Sequence, residues 1–588
     1  EQPASTFTFN YDPAHPGNDI EIYTYSDGLG RVVQTKKDAD VNGVEQKVIS
    51  GRVKYDALGR AVKNYYPTTQ ALGDTTYYTG VDGVAPSSTQ YDILDRPLIQ
   101  QAPDGTEVSY KYGFGTDSLR SFTLFETEVT DQNGHISTSL ANVNKQQYEV
   151  RPAGHQPVWF DYNDVGDLLT VWGVDFARSY LYDGIGRKTE YTEDSLKETY
   201  VYDGTNLIEK KSYWNERGQT QHKTISYTYD FNRLTTVQSS EYQDAIEYTY
   251  NSKGKLDTIK DASGIQLFTY GSMGEVTNQT RIYTLPFMEQ AVKIETLFEY
   301  DSWGRTLSMT YPDGEKLTYE YDCGGQLRKM QGVKDTLQYN YLENIKYDKF
   351  GAKTLVKYGN NLTTTYSYNP QNLRLSSQNI AKTVIDYLHV SYSYDPKGNI
   401  TGINTTNYTL PDFSAEQTFA YDAADQLDSA SGNNGSLYTV KMSYGNYGRV
   451  NTYNTTFTDP QTSISTQLSN NYTYNVNNPA SNSFAPVSAN NGDIAFEYGI
   501  NGSMRKKISI DKTEYYLFNS FDQMKAYSDN KETYGYYGYD DAGQRMYKAT
   551  LNNFEERINA LGNNVLEVEK LMLYPNGYIN INQDGNYT

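Results

Sequence analysis

One short unit constrains this chain more than any other feature, because it recurs almost from end to end. At residues 180–187 it reads Tyr-Leu-Tyr-Asp-Gly-Ile-Gly-Arg. Tyr180 and Tyr182 are two apart, so they share one face of an extended strand. Asp183 can fold its carboxylate back onto the amides that follow, and Gly186 supplies the positive φ that closes a short turn. Arg187 then opens the returning strand. Each copy predicts half of a β-hairpin.

Clear copies begin at Tyr55 (with Asp56, Gly59 and Arg60), Tyr91, Tyr182 (Asp183, Gly186, Arg187), Tyr300 (Asp301, Gly304, Arg305), Tyr394 (Asp395, Gly398) and Tyr539 (Asp540, Gly543). Degraded copies begin at Tyr162, Tyr202, Tyr229, Tyr250, Tyr270, Tyr321, Tyr347, Tyr368, Tyr421, Tyr444 and Tyr498. Many starts lie about twenty residues apart, a spacing that marks a solenoid, propeller or array. The expected fold is therefore all-β. It is one continuous array of hairpins over residues 1–588, with no interdomain linker.

Composition fits a thin sheet. The chain has 59 Tyr but only 37% hydrophobic residues, so the ring of tyrosine supplies much of the apolar area while its hydroxyl seeks water or a partner. A formal charge of −21 argues against a nucleic-acid-binding face, which would be basic. Much of that acid is the turn aspartates. The single cysteine, Cys323, excludes an intramolecular disulfide framework and a thiolate metal cluster. Residues 1–6 carry neither the basic nor the apolar part of a signal peptide, and no run approaches the ~18 apolar residues of a membrane span. Both ends interrupt the pattern abruptly, as in a piece of something longer.

Along the chain, Phe7, Phe9 and Tyr11 alternate as on a strand, as do Tyr23 and Tyr25 ahead of Asp-Gly-Leu-Gly-Arg at 27–31. Residues 61–90 are looser. From 118 to 160 the tyrosine pattern fades, although Asp131 to Gly134 keeps the turn chemistry. Residues 160–450 are the most regular. The stretch from Tyr283 to Met288 predicts a strand with an irregular edge rather than a helix. Residues 455–492, rich in Asn, Ser and Thr with Pro460, Pro479 and Pro486, predict a long polar loop or insertion. A short helix is expected, if anywhere, at 550–570.

Chemical motifs are missing. The five histidines are never closer than twenty residues, and no zinc spacing, nucleophile elbow, phosphate loop or dinucleotide fingerprint is present. The most calcium-like stretch, Asp161 to Gly166, puts Val165 and Trp172 where a calcium loop needs oxygens, so it reads as a repeat turn. The aspartates recur at equivalent turn positions, whereas a catalytic carboxylate pair would be singular. No catalytic residue, metal or cofactor is expected, which disfavours a glycan-active enzyme. The tyrosine ladder leaves a second reading open, stacking on sugar rings as cell-wall-binding repeats do. Those modules are rich in tryptophan, and this chain has 4.

The repeated Tyr-x-Tyr-Asp-x-x-Gly-Arg resembles the YD repeats of the Rhs family, which includes bacterial polymorphic toxins, the B and C subunits of insecticidal toxin complexes and, more distantly, the teneurins. Two longer stretches carry the same resemblance. Residues 24–38 followed by 51–60 resemble the entry of a toxin-complex B-type chain into its YD region, and the ending from Leu573 to Thr588 resembles the strands just before the Rhs core. The resemblance implies a spiral of hairpins forming a hollow, cocoon-like shell, or an open part of one. Such a shell encloses a C-terminal effector and follows a propeller-like region of the same longer chain. It also implies a secreted or surface-bound bacterial protein delivered by a secretion or translocation apparatus. No Asp-Pro-x-Gly-Leu-type core motif precedes Thr588, so the family's aspartyl autoprotease and effector are expected beyond it. The reading carried forward is a non-enzymatic encapsulating shell. The alternative is a surface adhesin or glycan-binding array.

Overall fold

A computed structural model describes residues 3–582 apart from 18, 81–82, 195, 217–218, 241–244, 286–287, 289, 434–435, 460, 475–483, 500–501, 530–533, 559–563 and 576–579. Among the described residues, 49 strands follow one another with three single-turn 3-10 segments between them. Nearly every strand pairs antiparallel with its neighbours in sequence. The exception lies near residue 50, where Val44–Ser50 pairs with Thr68–Ala71 while Val53–Tyr55 and Ala61–Asn64 begin the next sheet. Five strands thus form a first sheet, and all the others form one ladder that closes on itself.

The strands form because they are rich in Thr, Tyr and Val at period two. Their burial follows the same alternation. In Ile246–Tyr250 the two tyrosines and Ile246 are half-buried while Glu247 and Thr249 face water. Aliphatic core is correspondingly sparse. One cluster joins Tyr283, Leu285, Ile294, Met546, Leu573 and Ile581, and a smaller one joins Ile345, Tyr347 and Val356. The accessible surface is 32596 Å², against about 21,000 Å² for a compact globule of this mass. A sheet wetted on both faces accounts for that excess; a packed globule does not.

Hairpins in such a ribbon put their turns alternately on its two edges. The Tyr-Asp turns line one edge and the remaining turns the other. Side-chain contacts between residues 262 to 312 apart then show the ribbon passing over itself. Turns on the second edge between residues 12 and 176 meet Tyr-Asp turns between 301 and 449, and Lys223 and Ser239 meet the turn at 519–523. The ribbon therefore makes a first and a second wrap joined along a seam.

Three sequence expectations change. The polar stretch 455–492 is not one long loop, because Val450–Thr458 pairs with Ser465–Tyr474 in a full ladder and Pro486–Ala489 adds another strand; residues 460 and 475–483 lie outside the described residues. A sheet with two wet faces needs no apolar side in each strand, and Thr has the β-branched shape that strands favour. The helix expected at 550–570 is a strand pair, Arg545–Ile558 with Asn564–Leu573, since backbone partners on the ladder override a modest helical preference. The strand expected across 283–288 ends at Tyr283, after which the Met288 N–H bonds to the Leu285 carbonyl and Leu285 enters the core; residues 286–287 lie outside the described residues. From 118 to 160 the ladder continues unbroken despite the loss of tyrosine.

Candidate functional site

The recurring turn is built the same way wherever the motif is complete. In the copy at Tyr182, the Asp183 N–H donates to the Arg187 carbonyl at 2.9 Å and the Gly186 N–H to the Asp183 carbonyl at 3.0 Å. One oxygen of the Asp183 carboxylate accepts the N–H groups of Ile185 and Arg187, both at 3.0 Å, and the other accepts the Arg187 Nε at 2.6 Å. Gly186 sits at φ +82°, as a turn ending in a left-handed bulge requires. The slot tolerates replacement by residues that reach this region: in the copy at Tyr91, Asp95 takes it at φ +62°.

Asp56 to Arg60 repeats these bonds, as does Asp301 to Arg305. In the copy at Tyr394, Asp395 accepts the N–H groups of Gly398 and Asn399, with Asn399 in place of arginine. At Tyr539, Asp540 accepts those of Ala542 and Gln544. Gly59, Gly304, Gly398 and Gly543 all have positive φ.

The arginine is not the first residue of the returning strand, which begins one later at Lys188. Arg187 closes the turn, and a bulge follows it at Thr189, with Tyr182 paired to Lys188 and Leu181 to Glu190. The Arg187 guanidinium reaches the next repeat, donating to the Gly204 carbonyl and covering the Tyr202 ring at 4.8 Å. Tyr202 in turn donates its hydroxyl to the Lys188 carbonyl at 2.8 Å. Arg60 lies over Tyr91, Arg305 over Tyr321 and Arg374 over Tyr394, and each tyrosine donates to the residue after that arginine. Tyr539 makes the same bond to the Met524 carbonyl at 2.9 Å, behind a glutamine. The motif is thus a latch between consecutive hairpins, which a single copy cannot reveal.

Sequence reading missed turns of this row, among them Asn142 to Gln146 and Asn519 to Gln523, because Ala141 and Phe518 stand where tyrosine is expected. Both bond the asparagine amide to the glutamine four residues on, at 2.7 Å. An Asn-x-x-x-Gln spacing was the available signal. The Asp161–Gly166 stretch is a turn of this row, closed by Asn163 and Asp167.

The motif residues do not converge on one point. Asp56 to Arg60 and Asp183 to Arg187 lie on the outer edge of the first wrap. Asp301 to Arg305 and Asp395 to Gly398 lie in the seam, where Arg305 donates to Asp12 at 2.5 Å and Asn133 to Asp395 at 2.9 Å. Arg449 pairs with Asp175, and Lys397 bridges Asp131 and Asp425. These settings move the carboxyls differently. Backbone N–H donation from Arg187 holds Asp183 below the ordinary carboxylate range, and that from Arg60 does the same for Asp56. Burial pushes Asp12 up, but His15 and Arg305 hold it below its ordinary value. Burial pushes Asp322 and Asp540 up, and neither has an arginine at the fourth position.

Among the described residues no group of three His, Cys, Asp or Glu side chains is placed to hold a metal ion, and none of the described helices is long and apolar enough to cross a membrane. Burial drives the Cys323 thiol up to about 12, far from a reactive thiolate. Where the two sheets part, Arg52, Tyr55, Tyr65, Tyr77 and Tyr78 line a cleft of about 720 Å³. The Arg52 guanidinium there stacks on Tyr65 and Tyr78 and donates to the Tyr66 carbonyl.

Comparison with known proteins agrees with this geometry. The family model described as Teneurin YD-shell matches residues 153–369, and a domain of unknown function, DUF6443, matches residues 4–113. Mouse Teneurin-4 is 22% identical over 472 residues, which are 71% of this chain and 16% of that protein. The tRNA3(Ser)-specific nuclease WapA of Bacillus spizizenii is 23% identical over 40% of this chain and 9% of its own length. Among solved structures, the TcdB2-TccC3 crystal structure superposes with a TM-score of 0.71 at 15% identity, covering 99% of this chain and 35% of that one. The Photorhabdus luminescens Tc holotoxin pore gives 0.70 at 15% identity. The chain thus spans only a small part of the relatives it matches, and the structural likeness shows a shared fold.

Proposed function

We propose that this chain, a YD-repeat protein of the Rhs-like kind, is the non-enzymatic wall of a hollow shell that encloses a polypeptide cargo. The observation that carries this reading is the thin two-wrap wall, whose 32596 Å² of surface exceeds the solid-globule value of about 21,000 Å² by roughly half. A wall of that form separates an inside from an outside without needing an active site. Likeness in fold to the TcdB2-TccC3 shell supports the same assignment. The reading includes an effector as cargo, secretion or surface display as the setting, and one array over residues 1–588.

The alternative, a glycan-binding ladder, is weakened by where the rings are. Tyr202 and Tyr321 lie under the arginine of the preceding repeat and donate their hydroxyls to its backbone, so one ring face and the hydroxyl of each are already engaged.

Limited proteolysis of the full-length gene product tests the proposal. Segments outside residues 1–588 are expected to resist protease while the wall is folded and to be digested once mild denaturant opens it. Digestion at the same rate in both conditions would contradict enclosure.

A further inference from the structure

The seam shows what the tips of the motif turns pack against. In the second wrap these tips are covered by second-edge turns of the first. Cys323, at a tip, is 8% exposed, and its neighbour Gly324 lies so close to Ala39 that an added Cβ would come within 3.0 Å of the Ala39 backbone. Phe350 packs edge-on against Tyr66 at 5.2 Å, and Tyr447 packs likewise on Phe176 at 4.9 Å.

Among the described residues, nothing covers the motif turns of the first wrap in this way. Their tip positions carry large aliphatic side chains in open solvent: Leu58 is 72% exposed, Ile93 94%, Val165 84% and Ile185 76%. Single exposed apolar residues are ordinary, but a row of them at the tips of turns along one edge marks an interaction surface. The opposite rim, made of second-edge turns of the second wrap, is equally bare. Val384 there is 90% exposed, Ile464 66% and Ile510 82%. Among the described residues, one chain therefore presents the two kinds of turn that meet in the seam a second time, exposed and at opposite ends.

We propose that the free motif-turn row of one copy docks against the second-edge turns at the far rim of a second copy of this chain, continuing the internal seam as an intermolecular one. The contact is head to tail, so each added copy presents a fresh rim, and growth continues unless the geometry closes a ring. With a net charge of −21 on each copy, association strengthens as salt screens the repulsion. This inference is independent of what the shell encloses.

Sedimentation velocity of the 588-residue chain over a concentration series, at low and high salt, is the test. The expected result is concentration-dependent growth in steps of one chain mass, stronger at high salt. The triple variant Ile93→Asp/Val165→Asp/Ile185→Asp and the triple variant Val384→Asp/Ile464→Asp/Ile510→Asp should each sediment as monomers. Mixed, they should give a dimer that grows no further, because each retains the rim the other has lost. Unchanged thermal melting confirms that both fold. A wild-type chain that stays monomeric at every concentration and salt overturns the proposal, and that measurement needs no variant. Variants that associate like wild type, or a mixture that does not pair, overturn it as well.

Discussion

The same turn occurs in two settings, and the difference between them explains which of its residues the sequence keeps. On the free edge of the first wrap, the position after the turn glycine is arginine in several turns, where Arg31, Arg60 and Arg187 bond Asp27, Asp56 and Asp183 in partial solvent, while Gln146 and Asp167 fill it in two others. In the seam that position is often uncharged: Gln326, Ala352, Asn399, Gln426, Gln523 and Gln544. A guanidinium facing another layer of sheet must find a carboxylate there or remain desolvated and unpaired, which is costly. Two seam arginines, Arg305 and Arg449, have found one, in Asp12 and Asp175 respectively, and Arg374 donates to the Asp395 and Pro396 carbonyls. The motif is thus a local turn plus a latch, and the arginine persists where its second partner is water, the next turn or an opposing carboxylate.

Acid should break this arrangement most completely, because it acts on every aspartate-closed turn at once. Asp12, Asp56, Asp183 and Asp395 are held below the ordinary carboxylate value of 3.8. The stability they contribute is present above that value and is lost as pH falls through their lower folded values. Far-ultraviolet circular dichroism should therefore report unfolding below about pH 3.8. A wall unchanged well below that pH would show that the turn carboxylates matter little.

Arg305→Ala should have the next largest effect, lowering unfolding free energy by about 3–5 kcal/mol, because it strands the buried Asp12 and Asp301 carboxylates. Arg60→Ala, on the free edge, should shift the denaturant midpoint much less. Equal shifts would erase the distinction between the two rows.

Tyr347→Phe removes the hydroxyl that donates to the Leu327 carbonyl at 2.7 Å inside the second cluster. The expected cost is about 1–3 kcal/mol, that of a buried carbonyl left unsatisfied. A midpoint equal to wild type would show that ring burial, not the inter-repeat bond, holds the repeats together.

The smallest effects sharpen the comparison by sign. Asp540 is pushed up by burial, and asparagine already fills its turn position at 163, 369 and 519, so Asp540→Asn should leave the melting temperature unchanged or raise it. Asp183→Asn gives up the charge that Arg187 pairs with and should lower it. Opposite signs at two equivalent turn positions would show that the surroundings, not the motif alone, set each aspartate's role.

Much of this was legible in the sequence because the turn is local. Asp183, Gly186 and Arg187 close the turn within five residues, and their spacing with the paired tyrosines predicts the hairpin correctly. What was hidden acts at a distance. Contacts such as Asn133 to Asp395 join residues 262 apart, and no local pattern announces them. The latch from Arg187 to Tyr202 was hidden in a subtler way, since both residues were visible but their meeting depends on how one hairpin lies beside the next. The polar strand Ser465–Tyr474 and the pair at 545–573 misled for a related reason. Their strand state comes from ladder partners rather than from composition.

The most direct test of the central claim, a thin wall around a space, is small-angle X-ray scattering of the monomer at low concentration. A solid globule of this length has a radius of gyration of about 25 Å. The wall described here predicts a radius clearly larger than that, with a distance distribution weighted toward long separations. A radius near the solid value, with the symmetric distribution of a filled sphere, would contradict it.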